Sequence, residues 1–247
     1  MTSTQLIILI AVFFLTSVVG VVTGSNSLIA VPAMFQFGVD EKVAVATNMF
    51  GLTFMAIGGT IPFVRAGAIN FRRVSPLAAV TAVASAIGAT LVGLITNQGI
   101  KLIVSVAMIA VVIFTLVKPN AAAKERPETH TVIGLAAVFL LGIYGGLYSG
   151  GYVTILTPTL VAFFGMTYSQ SIAATKFINV FSSSVATAVF IWQGLVDYKL
   201  GLILGITMFV GAYVGAHYAT KMNEVWLKRI FITTVILLAF KTLSDFI

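Results

Sequence analysis

Residues 17–35, SVVGVVTGSNSLIAVPAMF, and residues 142–165, GIYGGLYSGGYVTILTPTLVAFFG, decide how this chain folds. In each, an apolar run is interrupted by glycine, serine or asparagine and then by proline, residues that weaken or break a helix. A shift of 126 positions puts Gly150 on Gly24 and Pro158 on Pro32, so the interruption is duplicated. The correspondence continues downstream with a slightly larger shift: VATN (45–48) meets AATK (173–176), GAINF (67–71) meets GLVDY (194–198), and SAIGA (85–89) meets AYVGA (212–216).

The solvent around these breaks is lipid. Hydrophobic residues make up 59% of the chain and charged residues 9%, with a mean hydropathy of +1.09, far outside the range of an ordinary water-soluble domain. Continuous runs such as QLIILIAVFFL, about as long as a bilayer-crossing helix needs when taken with their flanks, contradict the alternating pattern of a membrane barrel. The fold class is therefore an all-α integral membrane protein. No Lys or Arg precedes the first apolar stretch and that stretch has a later counterpart, so it reads as a membrane segment and not as a signal peptide. There is no cysteine, which excludes disulfides, thiolate chemistry and cysteine metal sites.

Two homologous helical repeats follow: 1–117, a polar linker 118–130 (KPNAAAKERPETH), and 131–247. Each reads as a long helix, a break, a short proline-bearing piece and three more helices, with the pieces near 5–23, 28–38, 43–64, 76–96 and 101–117, then 131–148, 153–164, 169–192, 199–220 and 226–246. The net charge of +7 lies in short loops, where it sets orientation and does not point to nucleic acid. Placing Arg65, Arg72, Arg73, Lys118, Lys124, Arg126, Lys221, Lys228 and Arg229 inside leaves Lys42, Lys101, Lys199 and Lys241 outside. That scheme puts both termini outside and makes the repeat inverted, with broken helices meeting near the midplane. A parallel repeat with re-entrant pieces is the alternative.

A break at membrane depth persists only where protein or a wet cavity covers its backbone. A half-helix starting there aims N–H groups and its positive dipole end at the cavity, which favours an anion. The expected substrate-binding residues are Gly24, Ser25, Asn26, Ser27, Ser149, Gly150 and Gly151 at the breaks, with Pro32 and Pro158 shaping them. Lys176 joins them: an ammonium inside a span costs about 2.5–3.5 kcal/mol, so such a residue usually faces a cavity, snorkelling to a helix end being the alternative. Its repeat counterpart Asn48 and its helical neighbour Asn179 supply amides. Gly88, Gly142, Gly145, Gly146, Gly211 and Gly215 read as close-packing positions, and His217 as a polar packing residue.

All seven acids fall in loops or at helix ends, which argues against a carboxylate proton relay, an acidic cation pore and a retinal-type Schiff base on Lys176. No HExxH or GxSxG is present, so the chain does not read as an enzyme, and no metal site or cofactor is expected.

The paired motifs G-S-N-S-L-I-A-V-P (24–32) and S-G-G-Y-V-T-I-L-T-P (149–158), the downstream VATN and AATK and the overall length resemble the sulfite exporter (TauE/SafE-like) family of bacterial membrane permeases. The resemblance implies a multi-pass protein of the bacterial inner membrane that moves sulfite, a sulfonate or a similar small anion. Such proteins usually carry a glycine run before the first proline; Ser25, Asn26 and Ser27 stand there instead. The expectation is a secondary permease working by alternating access, with a small anion and the lipid bilayer as partners and either a monomer or a homodimer as the assembly. An anion channel and a non-transporting assembly or sensor subunit are the alternatives; counterflow would separate a carrier from a channel.

Overall fold

The computed structural model describes residues 2–24, 26–117, 131–223, 226 and 229, and these are helical with no strand among them. Among the described residues nine helices run in order: α1 (Ser3–Thr23), α2 (Asn26–Gln36), α3 (Glu41–Arg65), α4 (Phe71–Leu94), α5 (Asn97–Val117), α6 (Thr131–Leu147), α7 (Tyr152–Phe164), α8 (Tyr168–Trp192) and α9 (Tyr198–Ala219). Five of them, α1, α3, α4, α8 and α9, are long and apolar enough to cross a membrane. The linker 118–130 and the tenth expected segment, 226–246, lie outside the described residues apart from Trp226 and Arg229.

Local chemistry sets the helix starts. Thr2 and Thr167 form capping boxes with Gln5 and Gln170, Asp40 accepts from the amides of Lys42 and Val43, Asn70 from Arg73, and Asp197 from Leu200. Among the described acids, Asp40 and Asp197 are thus caps, and Glu41 pairs with Lys101 at 2.7 Å. The Asn70 cap starts α4 a full turn ahead of the expected 76, because Pro76 is accommodated inside the helix and does not begin it.

The two halves interleave. α4 packs on α6 and α8, α9 packs on α1 and α3, and α3 lies against α8. The small residues expected to pack do so: a side chain on Gly88 would run into the backbone at Ile143 and Leu147 of α6, and one on Gly215 into the backbone of Val18 in α1. His217 lies exposed in the last turn of α9, its ring edge-on to that of Tyr218 and not buried between helices.

Loop contacts define the two ends of the bundle. At one end, Thr2, the 37–39 turn and the start of α9 line one depression, while Lys42 donates to the Gly93 carbonyl at 3.1 Å and Asn97 donates to Asp40 at 2.5 Å. At the other, residues 67–74 line a depression with Met166 and Gln170, Arg65 donates to the Tyr213 hydroxyl at 3.1 Å, and Arg73 donates to the Phe164 carbonyl. Lys42, Lys101 and Lys199 belong to the first end; Arg65, Arg72 and Arg73 belong to the second. The turn after α2 is at the first end and the turn after α7 at the second, although the two are equivalent in the duplicated sequence.

Candidate functional site

Each break carries one left-handed glycine. Gly24 (φ +70°) ends α1 and Gly151 (φ +77°) precedes α7, both in the left-handed region that only glycine enters cheaply. Asn26 and Ser27 are already helical, as the first turn of α2. Pro32 and Pro158 lie inside α2 and α7 and do not make the breaks. They leave the carbonyls one turn earlier without a helical donor. Ser25 lies outside the described residues.

α1 starts and α2 ends at the first end of the bundle. Gly134 near the start of α6 faces Phe163 and Phe164 at the end of α7, beside Arg73 at the second end. Two hairpins therefore enter from opposite ends, and their tips touch. Thr154 donates to the Thr23 carbonyl at 2.8 Å, Ser27 and Ser149 hydroxyls lie 2.8 Å apart, and Tyr148 donates to the Ser27 carbonyl at 3.0 Å. A methyl on Gly24 would land on Val153 and on the Thr154 amide nitrogen, at 2.8 Å. The contact lies at mid-depth: Asn48 and Lys176 each follow the start of their 25-residue helix by about two turns, roughly 11 Å from opposite ends of helices about 37 Å long.

Gly20, Gly24, Asn26, Ser27, Leu52, Met55, Ser149, Tyr152, Val153, Lys176 and Asn179 enclose a cavity between the tips. Six of the residues expected from the sequence line it: Gly24, Asn26, Ser27, Ser149, Lys176 and Asn179. Its volume, about 20 Å³, holds about one water. Among the described residues no carboxylate lines it, and the N-terminal residues of both half-helices, Asn26 with Ser27 and Tyr152 with Val153, border it.

Lys176 is 2% exposed and donates to the Gly20 carbonyl at 3.2 Å, an oxygen that also takes the Gly24 amide at 2.8 Å. The ammonium thus sits on the negative end of α1. Its aliphatic stem runs past Gly59 of α3.

The amides play parts different from those expected. Asn48 does not line the cavity; it stands behind, donating to the Ser27 hydroxyl at 2.9 Å. Asn26 donates away from the cavity, to Thr16 at 2.9 Å and Ser17 at 3.0 Å. Asn179 holds Ser182, whose hydroxyl donates to its amide oxygen at 3.3 Å. Gly150 and Gly151 do not reach the cavity: Gly150 lies against the Tyr148 ring and its carbonyl accepts from Tyr144, while Gly151 faces Val111 of α5. Gly20, Leu52, Met55, Tyr152 and Val153 line the cavity without a sequence signal, since an apolar residue in an apolar helix does not announce a cavity. Gly20 had one clue: it lies one turn before the duplicated break.

Broken helices joined tip to tip around a buried ammonium, in a bundle long enough to cross a bilayer, belong to a helical membrane transporter. The chain belongs to the sulfite exporter TauE/SafE family, whose model matches residues 9–242. It is 28% identical over 234 residues to the probable membrane transporter protein ORF9 of Sinorhizobium sp., covering 94% of this chain and 90% of that protein. It is 25% identical over 237 residues to a probable membrane transporter protein of Haemophilus influenzae, covering 95% of this chain and 91% of the relative. Against the probable membrane transporter protein YfcA of Escherichia coli the identity is 22% over 240 residues, with 96% and 89% covered. No solved structure matches the chain. The family and these names indicate a transporter rather than an enzyme.

Proposed function

We propose that this chain is a secondary permease for a small, sulfur-containing anion, bound between the hairpin tips and carried across the bacterial inner membrane by alternating access. The observation that carries the reading is Lys176: a buried ammonium, with no carboxylate in its cavity, beside the N-terminal residues of two half-helices. The family description adds the sulfur chemistry, since its named member class exports sulfite.

In this reading the two halves form an inverted repeat, 1–117 and 131–247 joined by 118–130, supported by equivalent turns lying at opposite ends of the bundle. The arginine-bearing end faces the cytoplasm and the N-terminus lies outside. An anion enters as the tips part: Lys176 leaves the Gly20 carbonyl, Ser27 and Ser149 separate, and the ammonium turns to the substrate. Rocking of one hairpin against the other then exposes the site to each side in turn.

The test is sulfite flux in proteoliposomes. Lys176→Met should lower it at least about tenfold, the loss expected when a charged hydrogen bond to substrate is removed. Flux equal to wild type from a folded variant would reject the site, and counterflow in preloaded vesicles should accelerate uptake, as a channel would not.

A further inference from the structure

Asn26 opens α2 at the cavity and is 2% exposed. Its amide nitrogen is fully occupied by Thr16 at 2.9 Å and Ser17 at 3.0 Å. The amide cannot be turned around without loss, because the Thr16 hydroxyl spends its hydrogen on the Val12 carbonyl at 2.7 Å and can only accept from Asn26. The amide oxygen of Asn26 is left buried, with no partner among the described residues.

A buried acceptor without a donor is costly, so Asn26 Oδ1, on a residue that lines the cavity, calls for a hydrogen-bond donor from the ligand. A cation could meet that oxygen only against the ammonium of Lys176 in the same cavity. A fully deprotonated anion would set its lone pairs against the amide oxygen. A singly protonated oxyanion satisfies every group. Its O–H meets Asn26 Oδ1, and its charged oxygens meet the ammonium hydrogens that Lys176 does not give to Gly20. The serine pair adds a hydroxyl: whichever of Ser27 and Ser149 donates to the other, one of the two hydroxyl hydrogens is left for the ligand.

We propose that the site selects a singly protonated, singly charged oxyanion, bisulfite in place of sulfite, with Asn26 Oδ1 accepting the ligand's own O–H. The proposal rests on the permease reading above and names the form of its substrate. The proton crosses on the anion, so that no carboxylate relay is needed in the protein. The titratable groups facing Asn26 are Lys176 from α8 and Tyr152 from α7, with Tyr148 reaching the neighbouring Ser27 carbonyl; among the described residues α1 brings Thr16, Ser17 and Gly20 and α3 brings Leu52 and Met55, none of them titratable.

Calorimetric binding to the purified full chain, stepped from mildly acidic to mildly alkaline pH, tests this with two probes. Sulfite titrates over that range; methanesulfinate has the same shape and charge as bisulfite with a methyl in place of the hydroxyl, and does not. Sulfite should bind about ten- to a hundredfold tighter than methanesulfinate at acidic pH. Its advantage should fall about tenfold per pH unit once bisulfite gives way to sulfite. Methanesulfinate reports any change in Lys176 itself. Asn26→Ala should bring the ratio of the two affinities to about one, and the wild-type ratio decides the matter if that variant does not fold. Methanesulfinate binding as tightly as sulfite at acidic pH, or sulfite binding more tightly as pH rises, overturns the proposal and leaves the anion permease standing. Binding of neither probe at any pH overturns both.

Discussion

Gly24 and Gly38 have nearly the same backbone, with φ of +70° and +79°, and very different surroundings. A methyl group on Gly38 would meet nothing within 4 Å, whereas one on Gly24 would collide with Val153 and the Thr154 amide. Gly38→Ala should therefore cost only the left-handed penalty, about 1–2 kcal/mol. Gly24→Ala should cost that and the separation of the hairpin tips, lowering the thermal midpoint in detergent by clearly more; equal shifts would mean the tips are not locked there. At this scale the sequence was informative wherever a residue type is improbable in lipid. Lys176, Asn26, Ser27, Ser149 and Asn179 stand out from any apolar background and all reach the cavity. Their partners were not legible, because the Gly20 carbonyl that receives Lys176 carries no side-chain signature and lies 156 residues away. The direction of the Asn26 amide depended likewise on Thr16 and Ser17, which read as ordinary spacers in α1.

Among the helices, three cations share one duty. Lys42 donates to Gly93 near the end of α4, Arg73 to Phe164 at the end of α7, and Lys176 to Gly20 near the end of α1. Each places positive charge at the carbonyl end of a helix, where the dipole is negative. Lys176 differs in doing so at mid-depth, where the same ammonium can be drawn off by an anion. The helices that hold this arrangement meet through small residues. Gly88 on α4 rests on the backbone of α6, and its repeat counterpart Gly215 on α9 rests on that of α1. Without a hydrophobic drive between helices in lipid, such close approach supplies much of the packing. Gly88→Val and Gly215→Val should each push the helices apart by the width of a side chain, and both should lose the monodisperse peak in size-exclusion chromatography. A monodisperse, thermally unchanged Gly215→Val would show that α9 and α1 do not pack so closely.

Over the whole molecule, among the described helices, α4 meets α6 and α8 as α9 meets α1 and α3. The opposite ends carry different charges, and the proposed orientation puts the arginine-bearing end inside. Because the chain has no cysteine, single-cysteine variants report this directly. Gln98→Cys, at the first end, should react with a membrane-impermeant maleimide in intact cells, whereas Ala66→Cys, at the second, should react only after lysis. The reverse pattern would invert the orientation without altering the site. By itself the sequence determined the solvent, the helices, the duplicated breaks and the outlying polar residues, since each is a matter of composition or local chain conformation. Only the tertiary structure decided that the two tips bond to each other, that Asn48 stands behind the cavity while Gly150 and Gly151 turn away from it, and that Asn26 presents an acceptor. Those outcomes depend on which groups from the other half of the chain arrive to satisfy buried donors and acceptors, and no local pattern encodes that.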